Sequence, residues 1–264
     1  MVPAVPVSQV HQRLGWLQPL VPAPESAGKS LADWKMEIDD APLFRGIYRQ
    51  ARPRRHLEFG TWEGTGATYV LEESSATVWT INLLHGESDA QGLWSYYVSQ
   101  APDPPGIHET SGTRGTPGAS VPLWAHTRTS PRGNTLIQTD ALGFIGRHYL
   151  ERGLGHRVCQ IYADSRQWDT SNYPPGFFDT VLIDGGHTTE IVTSDTLKAL
   201  SLIRSGGLIL WHDYCPDPAA LNAPAGAGPG QVLAAIEGLR DQMACELSDL
   251  FWIQPSWILL GVKR

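Results

Sequence analysis

Short apolar runs recur along this chain, and most of them end in a polar residue or a glycine turn. Five read as strands: His56–Gly60, Thr77–Ile81, Val158–Tyr162, Asp179–Ile183 and Leu208–Trp211. Between them the apolar spacing changes to three and four. That spacing predicts helices at Ala67–Glu73, at Leu142–Arg152 behind a Thr139-Asp140 cap, and over a segment after Asp184 that stops at Ser205-Gly206-Gly207. Strand, helix and strand in this order make a right-handed crossover between parallel strands. The polar ends then emerge together at the carboxyl edge of one sheet, where open α/β sheets bind their ligands. A further helix, Gln231–Met243, places Val232, Ile236 and Leu239 on one face. The last two runs, Leu250–Ile253 and Ser256–Val262, are joined only by Gln254-Pro255, which is too short for a crossover, so they predict an antiparallel hairpin. The fold class expected is α/β, a Rossmann-like doubly wound sheet, mostly parallel, with a C-terminal antiparallel hairpin strand.

Two regions depart from this rhythm. Residues 1–50 read as an N-terminal extension or cap, rich in proline at first and partly helical over Leu31–Arg49, where Pro42 interrupts the pattern. Residues 51–264 read as the main domain. Within it, glycine and proline recur over about 84–138, which predicts an insertion at the ligand edge because it follows a strand's carboxyl end.

Composition narrows the function classes. A chain of 264 residues with 41% hydrophobic content can bury a sizeable core. Its net charge of −7, without a basic run, argues against nucleic acid and against an anionic membrane surface as partners. No apolar stretch is long enough to span a bilayer, and the N-terminus lacks a basic region before its prolines, so the expected location is cytoplasmic. Cys159, Cys215 and Cys245 have no paired spacing, which fits buried or idle thiols in a reducing compartment.

The turn Gly60-Thr61-Trp62-Glu63-Gly64 bears on the cofactor. A dinucleotide fingerprint needs glycine where Trp62 stands, so that the backbone approaches a pyrophosphate, and no phosphate-binding GxxxxGK[ST] loop occurs. A ligand without phosphates suits the turn better. Three segments carry a family resemblance: Leu57-Glu58-Phe59-Gly60-Thr61, Ile183-Asp184-Gly185-Gly186-His187 and Gly206-Gly207-Leu208-Ile209-Leu210-Trp211-His212-Asp213. With them the chain resembles the class I S-adenosylmethionine-dependent methyltransferases, in particular sugar and natural-product O-methyltransferases. The resemblance covers about 53–83 and 140–264.

It implies that residues 51–264 are a methyltransferase domain that binds S-adenosylmethionine. Glu58, Gly60, Thr61 and Gly64 would lie around the methionine part, Asn82 at the ribose and Asp164 with Ser165 at the adenine. The family usually has an acid where Asn82 stands, so a bidentate carboxylate grip on the ribose is lost here. The resemblance also implies a divalent metal, Mg²⁺ or Mn²⁺, at Asp184, His212 and Asp213, with His187 as catalytic base beside Asp184. His212 departs from the more usual acid, and two carboxylates with an imidazole suit Mn²⁺, Fe²⁺ or Zn²⁺ at least as well as Mg²⁺. The activity expected is O-methylation of a small hydroxylated acceptor, a sugar or natural product, and the chain is compatible with a homo-oligomer. Two other readings stay open: a metal-dependent hydroxylase or hydrolase on the same scaffold, and a non-catalytic binding domain.

Overall fold

The computed structural model describes residues 2–83, 145–218 and 228–264, with the backbone of three two-residue strands between the first two of these segments. The strands in chain order are β1 (Ala4–Pro6), β2 (Arg55–Phe59), β3 (Thr77–Asn82), β4 (Trp124–Ala125), β5 (Arg128–Thr129), β6 (Thr135–Leu136), β7 (Val158–Tyr162), β8 (Phe178–Ile183), β9 (Ile203–Trp211), β10 (Leu247–Gln254) and β11 (Leu259–Lys263). The helices are α1 (Val10–Leu14), α2 (Ala41–Ala51), α3 (Thr65–Glu73), α4 (Arg147–Glu151), α5 (Thr189–Leu202), α6 (Gly228–Gly238) and α7 (Arg240–Glu246). Among these residues no helix is long and apolar enough to cross a membrane.

One sheet runs β1-β10-β11-β9-β8-β2-β3-β7-β4, while β5 and β6 pair separately. From β9 to β7 the strands are parallel, and β11 lies antiparallel to both β9 and β10. This is the expected Rossmann-like sheet with its closing hairpin. Strand alternation divides the core. Val181, Ile183, Ile209 and Trp211 face a cluster with α5 and α6, while Leu182, Leu208 and Leu210 face another with α2 and α3.

Several boundaries move, for local reasons. Pro42 occupies the first turn of α2 rather than interrupting it, since proline at that position gives up no helical hydrogen bond. The glycine turn before β9 is drawn into the strand: Phe178 pairs Ile203 and Thr180 pairs Leu208, so Arg204–Gly207 bulge out. The helix expected at Gln231–Met243 is two helices, parted after Gly238. Of Leu142–Arg152, the described part becomes helical only at Arg147, after Gly146 at φ 76°. Residues 139–144, and almost all of 84–138, lie outside the described residues.

The first fifty residues join this core. β1 runs parallel to β10, and Arg13 makes a two-point bond with Asp249 at 2.7 Å. Leu43, Phe44, Ile47 and Tyr48, spaced along one face of α2, are buried against the sheet.

Candidate functional site

The carboxyl ends of β2, β8 and β9 are laced edge to edge by backbone bonds. Asp184 N–H donates to the Phe59 carbonyl at 2.9 Å and His212 N–H to the Ile183 carbonyl at 3.0 Å. The turn after β2 therefore lies directly against the tip of β8. Gly60 has φ 97°, and a Cβ placed on it would come 2.2 Å from the Asp184 carbonyl oxygen, so only glycine fits. Gly64, also at positive φ, packs on Tyr149 and Gly146 and precedes the first turn of α3.

Asn82 holds this turn from the neighbouring strand. Its side-chain oxygen accepts from the Thr61 and Trp62 N–H groups, both at 3.1 Å, and its amide donates to the Leu83 carbonyl at 2.7 Å. Trp62 is fixed at φ 43° with its indole 46% exposed. Thr61 points inward and joins a buried polar chain. Its hydroxyl meets Thr80 Oγ1 at 2.7 Å and accepts from Gln160 Nε2 at 3.0 Å; Gln160 Oε1 in turn accepts from the Tyr149 hydroxyl at 2.7 Å.

Glu58 lies beneath the turn, accepting from the Thr80 hydroxyl at 2.8 Å and from the Ala67 backbone N–H. Burial pushes its carboxyl up to about 8, with Thr80 opposing and the nearby Asp184 reinforcing the shift. At the end of β7, Asp164 is buried and held by Arg166 at 2.7 Å. Ser165 donates to Asp195 on α5, whose carboxyl burial raises to about 7.

The acidic tips converge as a cluster. One ligand atom each from Asp184, His212 and Asp213 lie within 4.8 Å of one another. His187 Nε2 sits 2.7 Å from Asp213 Oδ2, and its side chain stays 43% exposed. Thr188 caps α5 by accepting from the Ile191 N–H, so His187 is not needed as the cap. Burial opposes a charge on His187, but Asp213 and Asp184 outweigh it and raise the imidazole above its ordinary value. His212 lies between two acids, with Nδ1 3.0 Å from Asp184 Oδ1 and Nε2 3.2 Å from Asp40 Oδ2. Burial again opposes the charge, and the surrounding carboxylates hold this ring well above 6.5.

The donor set fits a divalent cation. Two carboxylates and an imidazole are of the right types, and the His212 nitrogen facing Asp184 is the one not taken by Asp40. Asp40 was not among the residues the sequence singled out. An acid just before Ala41-Pro42 reads as a helix cap, and nothing local signals a partner 172 positions away. Thr80 and Gln160 escaped for the same reason, as polar residues inside strands that read as apolar.

A family model described as a methyltransferase domain matches residues 57–214. No curated protein matches the chain. Among solved structures, a Staphylococcus aureus protein described as a caffeoyl-CoA O-methyltransferase superposes with a TM-score of 0.51 at 11% identity, over 85% of this chain and 82% of that one. The O-methyltransferase TomG from Streptomyces achromogenes, solved with SAM, gives 0.48 at 15% identity, over 97% and 87%. An O-methyltransferase from Bacillus cereus, solved with SAH, gives 0.47 at 16%, over 97% and 89%. At these identities the likeness is one of fold.

Proposed function

The chain belongs to the methyltransferase-domain family, and from that membership we propose that it transfers a methyl group from S-adenosylmethionine to a hydroxyl oxygen of a small acceptor. The observation that carries this reading is the contact between the glycine turn and the acidic cluster, Gly60 against Asp184. It sets the glycine turn directly beside a set of groups suited to activating a hydroxyl. The turn Gly60–Gly64 receives the amino-acid part of the cofactor, with Glu58 supporting it from below. Asn82, Asp164 and Ser165 stand at the next two strand ends, toward the ribose and adenine.

Methyl transfer is a displacement: the acceptor oxygen bonds to the methyl carbon as the carbon–sulfur bond breaks, leaving S-adenosylhomocysteine. A neutral hydroxyl is a weak nucleophile, so its proton must leave as the bond forms. His187 is the base in this reading. Asp213 engages its Nε2 and favours the proton there, which leaves Nδ1 to take the acceptor proton. Asp184, His212 and Asp213 would hold a divalent cation, whose contribution is to lower the pKa of a bound hydroxyl and fix its position. The acceptor class, a sugar or natural-product hydroxyl, follows from the same resemblance as the motifs.

Calorimetry with S-adenosylmethionine and S-adenosylhomocysteine tests the cofactor, and absence of binding for both would remove the reading. Mn²⁺ titrated into wild type and Asp213→Ala tests the cation; identical isotherms would remove the metal and leave the fold.

A further inference from the structure

We propose that Asp40, from the N-terminal segment, is a positioning residue of this site, one that fixes the His212 ring so that Nδ1 faces Asp184. Only its metal arm rests on the reading of Asp184, His212 and Asp213 as a metal centre.

Asp40 occupies the N-cap of α2, where an aspartate side chain ordinarily accepts from its own helix. Here it makes no such bond. The carboxylate turns away instead, fully buried, and is shared among distant donors. Oδ1 accepts from Trp34 Nε1 at 2.8 Å, and Oδ2 accepts from the Trp257 N–H at 3.3 Å and faces His212 Nε2 at 3.2 Å. Trp34 and Trp257 set the carboxylate; the carboxylate sets the ring. One turn further along α2, Phe44 packs edge-on against the same imidazole, 5.3 Å between centroids. The ring is thus held at its Nε2 edge and against its face by one helix.

The consequence for the site is a fixed ring orientation. The Asp40 carboxylate keeps a proton on Nε2, so Nδ1, which bonds Asp184 at 3.0 Å, is the nitrogen that would turn to a cation. An acid behind a ligating imidazole raises its basicity and fixes its plane, and losing such a partner weakens metal binding by roughly 10- to 100-fold. A helix cap could have been served by asparagine, serine or threonine; the three-donor sharing and the ring contact need a carboxylate at this place.

The test uses the full-length, metal-free protein labelled with ¹⁵N. Wild type should show a slowly exchanging Nε2–H signal that is missing in His212→Ala. Asp40→Ala should lose that protection, and its Mn²⁺ dissociation constant should rise by about 10- to 100-fold. In the His212→Ala background, Asp40→Ala should leave Mn²⁺ binding unchanged. A protected signal that survives in Asp40→Ala overturns the proposal, as does equal weakening in both backgrounds. If Asp40→Ala does not melt cooperatively, Asp40→Asn, of the same volume, takes its place: weaker Mn²⁺ binding by a folded protein is expected, and wild-type binding overturns the proposal. A wild type that binds no Mn²⁺ removes the metal reading, and the imidazole signal then decides the role of Asp40 alone.

Discussion

Glu58 is 1% exposed beneath the turn, and its carboxyl titrates near 8 rather than near 4.5. Between those values the folded chain keeps a proton that the unfolded chain has lost. Folding stability therefore falls as pH rises through that window, and levels off above it. At about 1.4 kcal/mol per unit, the whole shift corresponds to no more than about 5 kcal/mol. Glu58→Gln removes the titration, so its stability relative to wild type should improve steadily from pH 5 to pH 8 in urea melts. A constant difference across that range would mean that Glu58 is ionised in the fold. His187 gives a second prediction. Its replacement by alanine should lower turnover by about 10²- to 10⁴-fold, the usual span for a general base, while calorimetric affinity for S-adenosylmethionine stays near wild type. Unchanged turnover would take the base role away from it.

At the scale of elements, the turn after β2 is where backbone geometry sets the site. Gly60 meets the Asp184 carbonyl, and Gly66 in α3 lies so close to Glu58 that a methyl group would displace the carboxylate. Gly60→Ala combines a left-handed backbone with a clash against a strand tip that is itself bonded to Phe59. A cost of roughly 2–5 kcal/mol is expected, from overpacking and φ strain together. It should appear as a lower urea midpoint and as weakened cofactor binding. A variant as stable as wild type would show that the turn relaxes without moving Asp184. The strand ends were legible because alternation and glycine turns act over a few residues. The exact start of α4 and the break between α6 and α7 were less so, since single glycines decided them. The bulge within β9 depends on which residue of β8 faces it, and that is a matter of pairing between strands.

For the molecule as a whole, the N-terminal segment is built into the sheet. β1 extends it beyond β10, and α2 shares one core cluster with Leu208, Leu210, Leu260 and Phe251 of the sheet. Burial of each large apolar side chain contributes about 1.5–3 kcal/mol, so losing Leu43, Phe44, Ile47 and Tyr48 together costs an amount comparable with the usual stability of a whole domain. A chain starting at residue 52 should therefore show no cooperative thermal melt by circular dichroism. A sharp transition in that fragment would return residues 1–50 to the status of a removable extension.

The sequence by itself determined the parallel sheet, its closing hairpin and the acidic tips at one edge. Each of these follows from short-range rules: side chains alternate along a strand, a helix repeats every three to four residues, and a crossover has one hand. Only the tertiary structure decided how those tips are paired. Asp213 faces His187, Asn82 is spent on the turn, and His212 is shared between Asp184 and an acid from the far end of the chain. A hydrogen bond between residues so far apart leaves no periodic trace in the sequence. It exists because folding buries both groups in one place, where an unpaired charge would cost more than the pair.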